Sequence, residues 1–340
     1  MITTALIGLL PVLIFLVALL YLDSYKMVEI HVVLVVILAG GMVALSCLPI
    51  SGWILDLTGW EKAFYSKYAA PLVEESLKAL IVVVLIRFNR IGFLVDAAIL
   101  GFAAGAGFAV VENYFYWQDG NTTNMGVWIV RGFGTAVMHG GVTSLFAIIS
   151  QRLTERSLKF NPAWLLPGFA LAVVLHSIWN HFFFNPVMST IGTLLILPPL
   201  LMVVYRKSAR SMHDWLEIDF DEDAELLEEL TSGEFTESRI GKYLLELRGT
   251  YKGTVIADML CYLRLYTELA LRAKGMLMAR EGGLDAPVGE RTKEKFQELK
   301  YLEKSIGKTG CLAMRPYLHM TPRICGSYIW LTRFSSLNPH

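Results

Sequence analysis

The sequence predicts an all-α, polytopic membrane helix bundle of about seven spans, followed by a C-terminal cytoplasmic helical domain. Hydrophobic residues make up 54% of the 340 residues, the mean hydropathy is +0.49, and charged residues reach only 18%. Soluble domains carry roughly 25% charged residues. The charges are also uneven, because residues 1–205 contain ten basic and ten acidic residues and the remaining third contains twenty of each.

Seven stretches are long and apolar enough to cross a bilayer, which takes about 20 residues of helix. They are residues 3–22, 30–49, 69–88, 92–116, 128–150, 163–184 and 187–205. The first stretch has no basic segment before it and no small-x-small cleavage site, so we expect a retained span rather than a signal peptide.

The basic residues of the short loops predict the orientation of these spans. Loops 87–91 and 151–162 and the exit of the last span at 206–210 are basic, whereas loops 117–127 and 185–187 have no Lys or Arg. Basic loops stay on the cytoplasmic side. We therefore expect a multi-pass protein of the cell membrane with its N-terminus outside and its C-terminal third in the cytoplasm.

The composition also predicts the domain boundaries and the kinds of partner. We expect a transmembrane domain at 1–205, a cytoplasmic helical domain at 206–310 and an irregular tail at 311–340. Helical periodicity recurs within the second domain at 240–248, 254–280 and 290–306. The lipid bilayer is an expected partner, and a net charge of zero gives no sign of nucleic-acid binding.

The four cysteines show no metal-binding or redox spacing. They are Cys47, Cys261, Cys311 and Cys325, without a C-x-x-C motif. We expect reduced thiols, and a Cys311–Cys325 disulfide is the alternative.

Ionisable residues inside a span cost about 2.5–3.5 kcal/mol each on insertion scales and are usually functional. The polar positions in spans three to six are Glu74, Glu75, Lys78, Asp96, Glu112, Arg131, His139, His176 and Asn180. At about 1.5 Å of rise per residue, six of them fall in the outer half of the bilayer: Glu74, Glu75, Glu112, His139, His176 and Asn180. Asp96 and Arg131 lie near span ends and are interpreted as interfacial.

Helical spacing groups these positions further. Lys78 lies four residues after Glu74 and three after Glu75, so it can partly neutralise the pair. Phe108 shares a face with Glu112, and Asn180 shares one with His176. Carboxylates and imidazoles around one cavity suit general acid–base catalysis and oxyanion stabilisation. The same residue types suit Zn²⁺, although there is no H-E-x-x-H motif.

Four short motifs occur in order on these spans and together resemble a known family. They are E-E-x-x-K at 74–78, F-x-x-x-E-N at 108–113, a mid-span histidine at 139 and H-x-x-W-N at 176–180. This order resembles the PrsW family of membrane proteases, which is related to the CAAX-processing and bacteriocin-immunity proteases. The resemblance covers roughly residues 5–205.

The resemblance implies an intramembrane endopeptidase of the glutamate type that cleaves a membrane-anchored protein, such as an anti-sigma factor. It implies that Glu74 activates water with support from Glu75 and Lys78, and that His139 and His176 position the water or stabilise the oxyanion. Asn180 and Phe108 would line the site, and no metal would be required. The relatives have histidine where this chain has Glu112, which leaves the role of Glu112 open.

Two alternatives stay open at this stage. One is a non-catalytic membrane transporter or binding protein that uses the buried carboxylates for ions or protons. The other is the same protease with Zn²⁺. The sequence also leaves open whether Glu74 or Glu75 is the base.

Overall fold

In a computed structural model the described part of the chain is almost entirely helical. The structure describes residues 2–23, 28–88, 90–118, 124–154, 161–232, 235–282, 284 and 289–318. These residues contain no β-strand, so the predicted all-α class is confirmed.

The helices follow one another with short connections. In chain order they are α1 (Ile2–Leu22), α2 (Ile30–Thr58), α3 (Lys62–Phe64), α4 (Ala70–Arg87), α5 (Leu94–Gln118), α6 (Met125–Ile129), α7 (Ala136–Thr154), α8 (Leu166–His181), α9 (Pro186–Thr231), α10 (Arg239–Glu246), α11 (Gly253–Glu281) and α12 (Glu290–Met314).

Six described segments are long and apolar enough to span a membrane, which confirms a polytopic helical bundle. They are Thr3–Leu22, Ile30–Thr58, Leu94–Gln118, Met125–Thr154, Pro162–His181 and Pro186–Arg210. The predicted span at 69–88 corresponds to α4, whose 18 residues include two glutamates, a lysine and an arginine. This composition keeps α4 outside the six. A seventh crossing by α4, and with it the N-out/C-in orientation, stays a prediction.

Helix α5 lies at the centre of the bundle and packs against α1, α2 and α7. It is rich in alanine and glycine, and nearly all of its first 16 residues are buried. Two glycines allow main-chain contact with the neighbours: a Cβ on Gly105 would overlap the carbonyl group of His139, and one on Gly107 would overlap that of Ile37. Small residues at such positions let membrane helices approach closely.

Two π-helical turns interrupt the helices that carry predicted site residues. The first, π1 (Tyr65–Ala69), joins α3 to α4, and the second, π2 (Val130–Thr135), joins α6 to α7. An inserted π turn changes the direction in which the following side chains point, and such turns are frequent at functional sites. Both turns lie a short distance before a predicted catalytic residue.

The chain divides into two compact units, Met1–Ser208 and Ala209–His340. In the second unit, α10, α11 and α12 correspond to the three periodic segments of the sequence, and Lys274 forms a buried ion pair with Asp223 at 2.6 Å. Helix α12 continues to Met314, beyond the expected boundary at 310. Most of the expected tail, 319–340, lies outside the described residues, and so does Cys325.

Candidate active site

Seven of the eight predicted site residues meet in one cluster within the first unit. Helix α4 supplies Glu74, Glu75 and Lys78, α5 supplies Phe108 and Glu112, α7 supplies His139, and α8 supplies His176. The eighth, Asn180, bonds outside this cluster and is described below.

Glu75 is the most heavily engaged carboxylate of the cluster. Its Oε1 accepts a hydrogen bond from Lys78 Nζ at 2.5 Å and lies 2.8 Å from Nδ1 of His176. All three side chains are almost fully buried. Because a carboxylate only accepts hydrogen bonds, Nδ1 of His176 carries the proton. In the neutral ring, Nε2 of His176 is therefore left with a lone pair.

Lys78 joins this carboxylate to the second histidine. Its Nζ lies 3.1 Å from Nδ1 of His139 and 4.5 Å from the centre of the Phe108 ring. An ammonium group has no lone pair to accept with. Nδ1 of His139 is therefore the acceptor, and the proton of the neutral ring is on Nε2. The lysine thus fixes the tautomer of His139.

Glu74 differs from its neighbour in having no strong donor. Its Oε2 lies 3.8 Å from Nε2 of His176, beyond hydrogen-bond distance. The same oxygen is buried and makes no hydrogen bond within the described part of the chain. Adjacent glutamates on one helix thus have opposite environments.

Glu112 connects His139 to a residue that the sequence analysis did not assign to the site. Its Oε2 lies 3.2 Å from Nε2 of His139 and 3.2 Å from Nη2 of Arg131. These are ion-pair distances, and neither Glu112 Oε2 nor Arg131 Nη2 makes a hydrogen bond to another described residue. The Arg131 guanidinium is also held by Asn113 Oδ1 at 2.9 Å and stacks on the Tyr116 ring at 3.4 Å.

Arg131 was interpreted only as interfacial, and its depth in the membrane stays a prediction, but the structure gives it a partner at the site. Its side chain is 12% exposed and pairs with Glu112 within the bundle. The sequence did contain a signal for this pair. Arg131 is the one Lys or Arg residue of its predicted span, Glu112 lies in the preceding span, and charges within membranes usually pair. Asp96, in contrast, accepts from the backbone N–H groups of Gly92 and Phe93 at the start of α5, in keeping with its position near a span end.

Asn180 contacts the backbone of another helix rather than the side chains of the cluster. Its Nδ2 donates to the carbonyl oxygen of Ser66 in π1, at 2.8 Å. The ring of the next residue, His181, lies 2.7 Å from the carbonyl oxygen of Ser177 and packs edge-on against Tyr68. His181 therefore has a local structural environment.

Three members of the cluster offer a candidate metal site. Glu74, His139 and His176 each present one ligand atom, and these atoms lie within 4.8 Å of one another. One glutamate and two histidines form the donor set of a class of catalytic zinc sites. His176 also makes the hydrogen bond from its other nitrogen to a carboxylate that ligating histidines usually have. Ligation by His139 would require its contact with either Lys78 or Glu112 to break.

The comparison with known proteins agrees with the four motifs. No curated protein and no solved structure matches the chain. The model of the PrsW family intramembrane metalloproteases matches residues 29–205, which is just over half of the chain and includes every residue of the cluster. The sequence, the helical membrane bundle and this match agree, and the chain belongs to the PrsW family of intramembrane metalloproteases.

Proposed function

We propose that this intramembrane protease is a glutamate-type endopeptidase in which Glu74 is the general base. The contrast between the two adjacent glutamates carries this proposal. Glu75 Oε1 is engaged by Lys78 and His176, whereas Glu74 Oε2 is buried without a hydrogen bond among the described residues. A carboxylate without strong donors is the better proton acceptor, because hydrogen bonds to the ionised form stabilise that form.

The reaction would proceed by proton transfer to and from Glu74. Glu74 takes a proton from a water molecule while the water oxygen bonds to the scissile carbonyl carbon. The C=O π electrons move to the carbonyl oxygen, and Nε2–H of His139 donates to the resulting oxyanion. The oxyanion then re-forms the carbonyl, the C–N bond breaks, and Glu74 returns its proton to the leaving amine.

The remaining residues of the cluster would hold this geometry. Glu75 fixes the orientation of His176, whose Nε2 lone pair faces the Glu74 carboxylate and can accept a hydrogen bond from the attacking water. Lys78 neutralises Glu75 and fixes the tautomer of His139. Glu112 Oε2 lies 3.2 Å from Nε2 of the same histidine, without a hydrogen bond to it.

A zinc-dependent version of this reaction is the second candidate, and the arrangement of Glu74, His139 and His176 favours it. A zinc ion held by these residues would supply Lewis-acid chemistry by polarising a carbonyl group and activating water. In either version Glu75 and Lys78 have the same positioning role.

The substrate is proposed to be a membrane-anchored protein, such as an anti-sigma factor, cut in the outer half of the bilayer. The depth of the cluster in the predicted N-out orientation supports this position. In that orientation the C-terminal third of the chain is expected in the cytoplasm.

Quantitative proteomics of the membrane fraction would identify the substrate and test the base together. Cells that produce the wild-type chain are compared with cells that produce Glu74→Gln, which keeps the size of the side chain and removes its basicity. We expect at least one membrane-anchored protein to persist at full length only with the variant. The matched control is Glu61→Gln, an exposed glutamate at the start of α3, which should behave as the wild type.

Purified protein in liposomes then tests the assignment directly. Cleavage of the identified substrate should be lost in Glu74→Gln, with an unchanged thermal unfolding midpoint. Full cleavage by Glu74→Gln would exclude this glutamate as the base.

A further inference from the structure

We propose that Ser177 and Asn180 are positioning residues that fasten α8 to the π1 turn and thereby hold His176 against Glu75. The inference deepens the proposed function and rests on it for the catalytic meaning of the His176–Glu75 contact. It gives the asparagine of the H-x-x-W-N motif a role through the backbone rather than through the substrate.

The carbonyl groups of π1 lack one N–H donor because of Pro71, three residues before Glu74. At the end of π1, the N–H of Ala70 bonds to the carbonyl oxygen of Tyr65, five residues back. The next residue is proline and has no N–H. It can donate neither to Ser66, five residues back, nor to Lys67, four residues back. A proline ring also clashes with the carbonyl group four residues before it, and the wider π turn gives that group room.

Helix α8 supplies the donors that the backbone lacks at this point. Ser177 Oγ donates to the carbonyl oxygen of Lys67 at 2.7 Å, and Asn180 Nδ2 donates to that of Ser66 at 2.8 Å. Backbone carbonyls within a membrane protein need such partners, because lipid offers none. The two donors follow His176 by one and four residues, so a single helical turn contacts both π1 and Glu75.

These contacts matter because α8 has little packing to fix its register. Only 22% of its apolar window is buried, against 78% for the windows of α5 and of α6–α7. Few residues of α8 are fully buried, so directional hydrogen bonds add to its packing against α4 and α7 in setting its position. A displacement of about 1 Å at a catalytic group can reduce the rate about 100-fold.

A double-mutant cycle with Pro71→Ala separates this role from direct contact with the substrate. Alanine at 71 restores the missing N–H, which can then serve a carbonyl of π1. We expect Asn180→Ala to lower kcat about 10- to 100-fold with little change in KM. In the Pro71→Ala background the same substitution should lower kcat no more than about threefold. Asn180→Gln, which keeps the amide, should recover part of the loss.

Ser177→Ala provides a second, independent cycle, and it carries the test if Asn180→Ala fails to fold. Two matched controls are available. Among the described residues, the Ser76 hydroxyl donates to Leu72 of its own helix, and the side-chain oxygen of Asn185 accepts from the nearby N–H of Val187. Ser76→Ala and Asn185→Ala should leave kcat and KM unchanged.

Two quantities are measured for each variant of the full chain. The first is turnover of the membrane-anchored substrate recovered from the Glu74→Gln comparison. The second is the thermal unfolding midpoint in detergent, which needs no substrate. We expect Asn180→Ala to lower the midpoint in the wild-type background and to have a smaller effect in the Pro71→Ala background.

Equal losses in the two backgrounds, in kcat and in the midpoint, would overturn the inference and favour direct contact with substrate. No loss in either background would overturn it as well. A third outcome is that the unfolding midpoints show coupling between Asn180→Ala and Pro71→Ala, while the protein has no peptidase activity. That outcome would support the contact between α8 and π1 and refute the proposed function.

Discussion

Replacing Lys78 by methionine should destabilise the membrane unit and abolish proteolysis. The side chain is 0% exposed, and its Nζ lies 2.5 Å from Glu75 Oε1 and 3.1 Å from His139 Nδ1. Methionine keeps the apolar stem and most of the volume but removes the charge. Glu75 is then a buried carboxylate that keeps only His176 as a partner among the described residues.

The size of the effect follows from this burial. Breaking a buried ion pair by removing one partner costs about 3–5 kcal/mol. For a unit the size of Met1–Ser208, each kcal/mol lowers the unfolding midpoint by about 2–4 °C. We therefore expect a fall of roughly 6–20 °C. The midpoint is measured on the full chain in detergent, in parallel with cleavage in liposomes.

Two further variants make this prediction specific. Lys62→Met changes an exposed lysine of α3 and should alter stability by no more than about 0.5 kcal/mol. Lys78→Met combined with Glu75→Leu removes both charges and should regain most of the lost stability without activity, because replacing a buried pair by apolar residues is often neutral. A midpoint for Lys78→Met equal to that of Lys62→Met would refute the reasoning, as would a double variant less stable than the single one.

Three other predictions concern the surroundings of the site. Gly105→Ala should lower the free energy of unfolding by about 1–3 kcal/mol, because the added methyl group overpacks against the backbone of His139, and it should reduce cleavage. The control is Gly52→Ala, where the methyl group has open space; its unfolding midpoint should be unchanged or higher. Arg131→Met should lower the midpoint by leaving Glu112 in the bundle without its cation, and a midpoint equal to the wild type would contradict the pairing. In the glutamate-type mechanism, chelator-treated protein free of zinc by metal analysis should keep full cleavage activity; stoichiometric zinc together with lost cleavage would select the zinc-dependent version.

The membrane fold could be predicted from the sequence because its signal is local. Runs of about 20 apolar residues identify spans without any knowledge of their neighbours. Six of the seven predicted spans correspond to segments of sufficient length and hydropathy. The exception, α4, carries charged residues that its neighbours bury, and burial by neighbouring helices is not encoded in a window of hydropathy.

The site could be predicted only as far as helical spacing and span order reach. The three-residue spacing of Glu75 and Lys78 predicted their contact. The order of the motifs predicted that Glu112, His139 and His176 are neighbours. The partners of Arg131 and Asn180 were missed because both depend on π turns and on the rotation of separate helices. A π turn shifts the direction of later side chains, and nothing in the 3.6-residue period signals its presence.

The main-chain contacts of Gly105 and Gly107 have an evolutionary consequence. They set the separations of α2, α5 and α7 by backbone atoms, whose dimensions do not vary with the side chains chosen elsewhere. The lipid-facing positions, such as Leu38 on α2, Ile178 on α8 and Leu195 on α9, are free of that constraint. Substitutions at these positions can therefore change the outer surface of the bundle, while the main-chain contacts keep the separations of the helices that carry the cluster.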